Sequence, residues 1–301
     1  MLCFKILTDE NREETLELVL GGLPEADDDY IAEIAGSLLP DSETEYALSW
    51  ADGCLLIRIF DGEYSFSYPV SVCEGADATS AALKIRDYAV KEEIPLIFTD
   101  VPAEELGGLV TLFRHANIDA EDPLGESYRV RIITEAAAVG EIPTVDIDGL
   151  CLDALCPEDD SEYARLCRDG ETNRFWGYDY IADESDPDDS YFRENAEAEL
   201  SRGVSMSFAV RREGKFVGEA TLYAFDCMGR CDLAIRILPE YRRLGIAGRV
   251  LRGLIEFGPS IGLVRLRARV MAKNEASINL CRAHMEMTAE QGEIVVFTCE
   301  L

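Results

Sequence analysis

The stretch CDLAIRILPEYRRLGIAG, residues 231–248, decides how the C-terminal half of the chain folds. Apolar side chains at every second position from Leu233 to Ile237 predict a β-strand over 231–238 with one buried face. A glycine-containing loop follows, and residues 245–257 then show the 3.6-residue periodicity of an amphipathic helix. The strand therefore leads through this loop directly into the start of a helix.

The start of this helix has the features of an anion-binding site. The first N–H groups of a helix have no partner within it, and the helix dipole places partial positive charge there. Gly245, Ala247 and Gly248 are small enough to let an anion approach the backbone, and Arg242 and Arg243 add charged donors beside it. Taken alone, the same residues also fit a tight strand-to-helix connection in which glycine only relieves crowding.

With a second block downstream, this segment resembles the GNAT superfamily of acetyl-CoA-dependent N-acyltransferases. The family signature, Gln/Arg-x-x-Gly-x-Gly/Ala, is met by Arg242, Gly245 and Ala247. Residues 274–281 are similar to the family segment Asn-x-x-Ser-x-x-Leu-Tyr. The resemblance covers about residues 148–301 and leans toward the branch that modifies ribosomal-protein N-termini and small amines.

The resemblance implies acetyl-CoA as the acyl donor. In the family the loop holds the pyrophosphate, the second block contacts the pantetheine arm, and strand N–H groups polarise the thioester carbonyl. The positions assigned to the cofactor are Ile235, Arg236, Ile237, Arg242, Arg243, Leu244, Gly245, Ile246, Ala247, Gly248, Asn274 and Ser277.

The reaction expected of such a site is acyl transfer to a primary amine, which must lose a proton before it attacks the thioester. A carboxylate usually takes that proton, directly or through water. Asp232, on the strand that leads into the loop, is one candidate, and Glu219 on the adjacent strand is its rival. Each of them is also explained as a solvated or salt-bridged carboxylate of a strand.

Cys281 departs from the family pattern, because it stands where a tyrosine usually protonates the leaving thiolate. A thiol can still donate a proton, since its ordinary pKa of about 8.5 is below the value of about 10 for tyrosine. If the shorter side chain of Cys281 does not reach the leaving group, water protonates it instead. Cys281 can also be explained as a small buried apolar residue, so its function is left open.

An aromatic segment is the candidate acceptor site. Phe175, Trp176 and Tyr178 precede the acidic run 183–189, and ring faces together with carboxylates suit a cationic amine. The alternative interpretation places these rings partly in the core.

Charge divides the chain unevenly. Residues 201–301 carry 15 Lys and Arg against 11 Asp and Glu, whereas the first 200 residues carry 13 against 48, and the net charge is −31. Such an acidic body repels nucleic acid and anionic membranes and attracts cations, although it also fits general solubility. The less acidic C-terminal part is where an anionic cofactor is expected.

The order of predicted elements indicates an α/β (α+β) protein of two GNAT-like domains, each a mixed, largely antiparallel sheet flanked by helices. Residues 1–145 form a degenerate GNAT-like domain and linker without the cofactor motif, and residues 146–301 the N-acetyltransferase domain. We expect the first domain to bind no cofactor and to shape the acceptor site. The predicted helices are 10–20, 27–39, 78–91, 103–116, 158–168, 191–202, 245–257 and 276–284. The predicted strands are 46–50, 54–60, 64–70, 95–99, 128–133, 150–155, 205–211, 216–225, 231–238, 264–270 and 294–298.

Other features narrow the function classes. The ten cysteines have no framework spacing and the chain shows neither a secretory signal nor a membrane-spanning run, so we expect a cytoplasmic protein with reduced thiols, no metal, no membrane and no nucleic-acid partner. The oligomeric state is left open. Two alternatives to an active acetyltransferase remain: a CoA-binding regulatory protein whose catalytic site has decayed, and a tandem aminoacyl transferase that uses charged tRNA, against which the acidic charge argues.

Overall fold

The computed structural model describes residues 3–6, 44–51, 54–61, 64–72, 90–91, 93, 95–103, 106–107, 116–121, 127–134, 140–176 and 188–301. The chain divides into two compact units, Met1–Ile132 and Ile133–Leu301. Residues 145–147, which were expected in the linker, form a strand that pairs with residues 150–152 in the second unit.

The first unit contains one sheet of seven strands in the order β1-β2-β3-β4-β5-β7-β6. All neighbouring strands are antiparallel except β4 and β5, which pair in parallel with Phe66 opposite Ile97. The strands are β1 Cys3–Ile6, β2 Thr44–Ala51, β3 Cys54–Asp61, β4 Tyr64–Val72, β5 Ile97–Pro102, β6 Ala116–Glu121 and β7 Ser127–Ile132.

Five of these strands overlap predicted ones, and the register Ala51 opposite Cys54 and Asp61 opposite Tyr64 is that of the two expected hairpins. β1 and β6 were not predicted, and β6 begins at Ala116, where a helix was expected to end. The predicted helices 10–20 and 27–39, and most of 78–91 and 103–116, lie outside the described residues.

The second unit contains a sheet of eight strands in the order β14-β15-β13-β12-β11-β10-β9-β8. The strands are β8 Val145–Ile147, β9 Leu150–Ala154, β10 Ser205–Arg212, β11 Lys215–Tyr223, β12 Arg230–Ile237, β13 Arg265–Met271, β14 Glu286–Gln291 and β15 Ile294–Glu300. The helices are α1 Asp160–Arg168, α2 Gly170–Asn173, α3 Asp189–Ser201, α4 Ile246–Phe257 and α5 Glu275–Arg282. Every predicted strand and helix of this half is confirmed, whereas β8, β14 and α2 were not predicted.

Helices cover both faces of the second sheet. α4 and α5 pack on one face around a core that includes Phe208, Leu254 and Phe297, while α1 and α3 pack on the other around Tyr163 and Phe192. The central strands are buried on both faces because a helix layer lies on each side. This part of the chain is therefore a mixed α/β fold with a sheet flanked by helices.

The two sheets follow the same strand order. In each, an antiparallel meander is followed by a parallel pair, β4–β5 in the first unit and β12–β13 in the second. In each, the last strand of the unit lies between the two strands that precede it in sequence. The second sheet differs by the additional edge strand β8.

Candidate active site

β12 and β13 separate part of the way along their length. Their parallel register ends at Asp232 opposite Arg267, although β12 continues to Ile237. On its other side β12 stays paired with β11 as far as Ile237. The backbone groups of residues 233–237 that point toward β13 therefore lie outside the β12–β13 ladder, at an opening where a ligand can take the place of a strand.

The loop after β12 holds its backbone open at the start of α4. Arg243 has a φ of 61° and Gly245 a φ of 72°, both in the left-handed region. Gly245 is the N-cap of the twelve-residue helix and has no side chain to bond the first N–H groups. A Cβ on Gly245 would meet no atom within 4 Å, so the space beside the loop is open. This backbone fits the pyrophosphate of a nucleotide cofactor.

The two loop arginines have different surroundings. The Arg242 guanidinium donates through Nε to the carbonyl oxygen of Ile237 at 3.1 Å and through Nη2 to Oγ1 of Thr172 at 2.5 Å. It also lies 3.7 Å from Asp169. Arg243 is exposed, as is Leu244 beside it. Arg243 can thus reach a bound anion from the loop, whereas Arg242 would first have to break its hydrogen bonds to the protein.

The second cofactor block begins α5 and lies beside α4. Asn274 is the N-cap of α5, where its Oδ1 accepts a hydrogen bond from the backbone N–H of Ser277 at 3.2 Å. Ile278 and Leu280 are among the apolar residues of the core on this face. A Cβ on Gly248 would lie 3.6 Å from Nε2 of His284, which places the end of the α5 segment against the first turn of α4. The structure therefore brings the two predicted cofactor blocks together.

Glu219 is buried in a network on the face covered by α1. Its Oε1 accepts a hydrogen bond from the Tyr163 hydroxyl at 2.7 Å, and its Oε2 accepts from Nε of Arg236 at 2.8 Å. Both side chains of the Glu219–Arg236 ion pair are 1% exposed. Arg236 also donates to Oδ1 of Asn173 at 2.7 Å and lies 3.9 Å from the ring centre of Trp176. The Arg236 side chain, which the resemblance placed at the cofactor, is therefore engaged elsewhere, and only its backbone is available to a ligand.

The other candidate base, Asp232, also has an arginine partner. Nε of Arg267 lies 2.5 Å from its Oδ1, and the carboxylate is almost fully buried. Arg265 on the same strand pairs with Glu300. Arg265 and Arg267 thus bind carboxylates of their own unit. Both predicted bases are therefore held in ion pairs with guanidinium groups.

Cys281 is buried at the end of α5, with 4% of its surface exposed. Burial raises the pKa of the Cys281 thiol to about 11. A thiolate leaving group has a conjugate acid of pKa about 8.5, so proton transfer from Cys281 to it is unfavourable by roughly a hundredfold or more. The geometry and chemistry thus argue against Cys281 as the general acid.

The aromatic segment is described only in part. Trp176 stacks on Arg236 and is half-buried, as is Phe175, which lies 5.1 Å from the Arg174 guanidinium. Tyr178 and most of the acidic run lie outside the described residues. The structure therefore brings Trp176 to the Glu219 network.

Sequence reasoning missed the residues that hold this network. Tyr163, Thr172 and Asn173 come from the α1–α2 segment, far from β12 in sequence, and no spacing signal links them to it. Arg267, the partner of Asp232, was not identified as such from the sequence either. Strand register is the signal that could have revealed the two ion pairs, since Glu219 is directly opposite Arg236 and Asp232 directly opposite Arg267.

Comparison with known proteins agrees with the two cofactor blocks. Residues 149–284 match the model of the family described as Acetyltransferase (GNAT) domain. The chain therefore carries a GNAT acetyltransferase domain, and the cofactor of this enzyme class is acetyl-CoA. No match is found among curated proteins.

Several solved structures are similar to half of this chain. The acetyltransferase (GNAT family) from Bacillus anthracis is 14% identical with a TM-score of 0.44, covering 52% of this chain and 98% of that one. The spermidine N-acetyltransferase from Vibrio cholerae in complex with CoA and spermine is 15% identical with a TM-score of 0.42, covering 50% and 95%. RimL, a ribosomal L7/L12 alpha-N-protein acetyltransferase, is 11% identical with a TM-score of 0.44, covering 53% and 95%.

Two kinds of feature are absent from the described part of the chain. None of its helices combines the length and the apolar character needed to cross a bilayer. In the same residues, no group of three or more His, Cys, Asp and Glu side chains is arranged to hold a metal ion.

Proposed function

We propose that this protein is an N-acetyltransferase that moves an acetyl group from acetyl-CoA to a primary amine. The observation that carries the proposal is the loop from Arg242 to Gly248, whose backbone is left-handed at Arg243 and Gly245 and open beside Gly245, at the start of a twelve-residue helix. The match to the acetyltransferase family over residues 149–284 supports it independently of that geometry.

The residues of this chain divide the work. The loop backbone and Arg243 hold the pyrophosphate, and Asn274 orients the arm that follows it. When bound, acetyl-CoA supplies the activated acetyl group as a thioester. The backbone N–H of Ile235 or Arg236, at the opening between β12 and β13, would donate to the carbonyl oxygen as negative charge develops on it. Asp232 and Glu219, each held by an arginine, set the charge around the acceptor and leave proton removal to water.

The acceptor is a cationic amine: a small amine, an amino-sugar or a peptide N-terminus. The first 200 residues carry 48 acidic and 13 basic side chains, which attract a cation and repel polyanions such as tRNA. Phe175, Trp176 and Tyr178 are the residues proposed to contact it.

A second candidate function is a CoA-binding protein with little or no transferase activity. Two observations favour it. Both candidate bases form ion pairs with arginines, and the pKa of Cys281 is raised. The two functions share the cofactor site and differ only in turnover.

For the first unit we propose a degenerate GNAT-like domain. Its sheet repeats the strand order of the second sheet, including the parallel pair at the same place in that order. The sequence after β4 lacks the Arg-x-x-Gly-x-Gly/Ala signature, so we assign it no cofactor.

Calorimetric titration with CoA tests the cofactor site. We expect wild-type protein to bind CoA and Gly245→Glu to bind it at least tenfold more weakly, because a side chain and a negative charge enter the loop. A tenfold loss corresponds to about 1.4 kcal/mol of binding free energy. Gly214→Glu is the matched control, since Gly214 has a φ of 75°, equally open space and a place in the β10–β11 turn. Equal affinity of wild type and Gly245→Glu would contradict the proposed site.

A thiol-release assay separates the two candidate functions. Acetyl-CoA and a set of cationic amines are supplied to protein already shown to bind CoA. Amine-dependent release of the free thiol supports the acetyltransferase. Binding without release for polyamines, amino-sugars and peptide N-termini supports the binding protein.

A further inference from the structure

The four-residue helix α2 and its N-cap, Asp169 to Asn173, form a turn that is fixed firmly to the end of α1. The side-chain amide nitrogen of Asn173 lies within hydrogen-bond distance of three backbone carbonyl oxygens, those of Leu166 at 3.0 Å, Cys167 at 2.7 Å and Asp169 at 2.9 Å, and its two N–H groups are shared among them. Carbonyl groups at the end of a helix otherwise have no partner in it. The 169–173 turn is therefore a rigid extension of α1.

One side chain of this turn holds the loop that follows β12. Oγ1 of Thr172 accepts a hydrogen bond from Nη2 of Arg242 at 2.5 Å and donates its own proton to Oδ2 of Asp169. A hydroxyl group can donate one bond and accept two, so Thr172 serves both partners at once. Hydrogen bonds from Thr172 also hold the pKa of Asp169 below its ordinary value, with the Arg242 charge adding to the effect. The result is a chain from a carboxylate through a hydroxyl to the guanidinium.

A second side chain of the turn holds β12 itself. Oδ1 of Asn173 accepts a hydrogen bond from Nη1 of Arg236 at 2.7 Å, and Arg236 is the buried partner of Glu219. The segment from Arg236 to Arg242 is thus fixed at both ends by neighbouring residues of one turn. The Nε bond from Arg242 to the carbonyl oxygen of Ile237 closes the segment on itself.

These contacts define what Arg242 does. Its guanidinium donates to a backbone carbonyl and a hydroxyl that both belong to the protein, and a carboxylate lies close by. A side chain held in this way fixes the path of its own backbone, which here begins the loop that curves through Arg243 and Gly245. A loop preorganised before binding loses less entropy when a ligand binds.

We propose that Thr172, backed by Asp169, is a positioning residue for cofactor binding, acting through Arg242 to hold the loop in its anion-binding shape. This inference rests on the proposed function, because it assumes that the loop binds the pyrophosphate of CoA. It assigns a role in cofactor affinity to a segment outside both cofactor blocks.

Thr172→Val tests the proposal, with Thr172→Ser as the matched control. Valine keeps the shape and removes the hydroxyl, whereas serine keeps the hydroxyl. We expect Thr172→Val to raise the CoA dissociation constant and the KM for acetyl-CoA about tenfold with kcat within about twofold, and Thr172→Ser to restore both constants. A purely structural role would lower kcat and stability without this split.

A double-mutant cycle with Arg242→Met examines the same bond from its other end. If Thr172 acts through Arg242, the double variant binds CoA no more weakly than the weaker single variant. The proposal is overturned if the losses of CoA affinity in the two single variants add up in the double variant, or if Thr172→Val binds CoA as tightly as wild type. In either case, CoA binding by the wild type leaves the proposed function standing. Absence of CoA binding in wild type removes both. Thr172 is half-buried at the surface of the unit, so we expect Thr172→Val to fold. If it does not fold, Arg242→Met alone still tests the link between Thr172 and the loop.

Discussion

Glu219 and Arg236 show how pairing across strands determines the partners of individual residues in this site. They stand directly opposite each other on β11 and β12, and both are almost fully buried. An unpaired buried charge would strongly destabilise the folded protein, so each of these two charges is tolerated in the core only because the other neutralises it. The two charges are therefore held together in the interior of the second unit.

Replacing Cys281 by alanine tests the residue that stands at the family's tyrosine position. Because the pKa of this thiol is about 11, its replacement should change kcat by less than about twofold, whereas loss of a true general acid costs a hundredfold or more. The pH dependence of kcat should also keep its shape between pH 6 and 9, since burial keeps the thiol protonated throughout that range. Thiol release measured across this range for both proteins provides the comparison. A drop of a hundredfold in the variant would assign proton donation to Cys281.

Much of the cofactor site could be predicted at the residue scale, whereas most of the side-chain network could not. The loop from Arg242 to Gly248 is a local signal, because glycine spacing and a following helix lie within one short stretch. The partners of Glu219 and Asp232 depend on register and on the packing of α1, which a single sequence does not specify. Asp232 and Glu219 were therefore recognised as carboxylates near the site without their arginines.

At the scale of elements, Gly218 lets β12 approach β11 at the point where the chain leaves the sheet for the loop. A Cβ on Gly218 would lie 2.2 Å from the carbonyl oxygen of Arg236 and 2.8 Å from Cδ1 of Ile237. The first of these atoms belongs to the backbone, which cannot move away as a flexible side chain can. The end of β12 would have to shift instead.

We therefore expect Gly218→Ala to lower the free energy of unfolding by about 3 kcal/mol, in the upper part of the range for overpacking. It should also weaken CoA binding, because the displaced residues lead directly into the loop. Gly140→Ala is the control, since a Cβ there meets no atom within 4 Å, and it should change stability by less than about 0.5 kcal/mol. Urea unfolding and CoA titration of the three proteins measure both effects. Equal stability of Gly218→Ala and wild type would show that β12 does not need this close approach.

Elements with a strong pattern of their own were predicted, and elements held by their neighbours were not. α4 has a continuous apolar face, and its bounds agree with the prediction within one residue. β8 has only three residues, and it is held by β9 and by α4, whose Gly253 would place a Cβ 2.1 Å from Cδ1 of Ile147. β14 reads EMTAEQ, whose apolar alternation is limited to Met287 and Ala289, and it forms because β15 offers it an edge. Such strands depend on tertiary contacts rather than local preference.

At the scale of the whole molecule, the two units share a strand order but not a cofactor signature. The net charge of −31 is concentrated in the first 200 residues, whereas the loop that we assign to the pyrophosphate lies in the part with more basic than acidic residues. A polyanionic cofactor is best tolerated where the surrounding charge is least negative. Charge distribution and motif thus both favour residues 201–301 as the part of the chain that holds the pyrophosphate.

The position of the unit boundary leads to the last prediction, that residues 133–301 fold by themselves and bind CoA. Both cofactor blocks and the residues that hold them lie in this range, and its core runs from Ile133 to the final strand. The CoA dissociation constant of this fragment should be within about threefold of the full-length value, a difference below about 1 kcal/mol.

A fragment of residues 146–301, cut at the boundary that the sequence predicted, is the matched control. It lacks Ile133, which is buried, and Val145, which pairs with Leu152 in β8 and β9. Burying one such side chain contributes about 1.5–3 kcal/mol, so this shorter fragment should unfold at clearly lower urea concentration. Urea unfolding and CoA titration of both fragments decide between the boundaries. Equal stability of the two would show that the chain before residue 146 adds nothing to the second unit, and failure of the longer fragment to bind CoA would make the first unit part of the cofactor site.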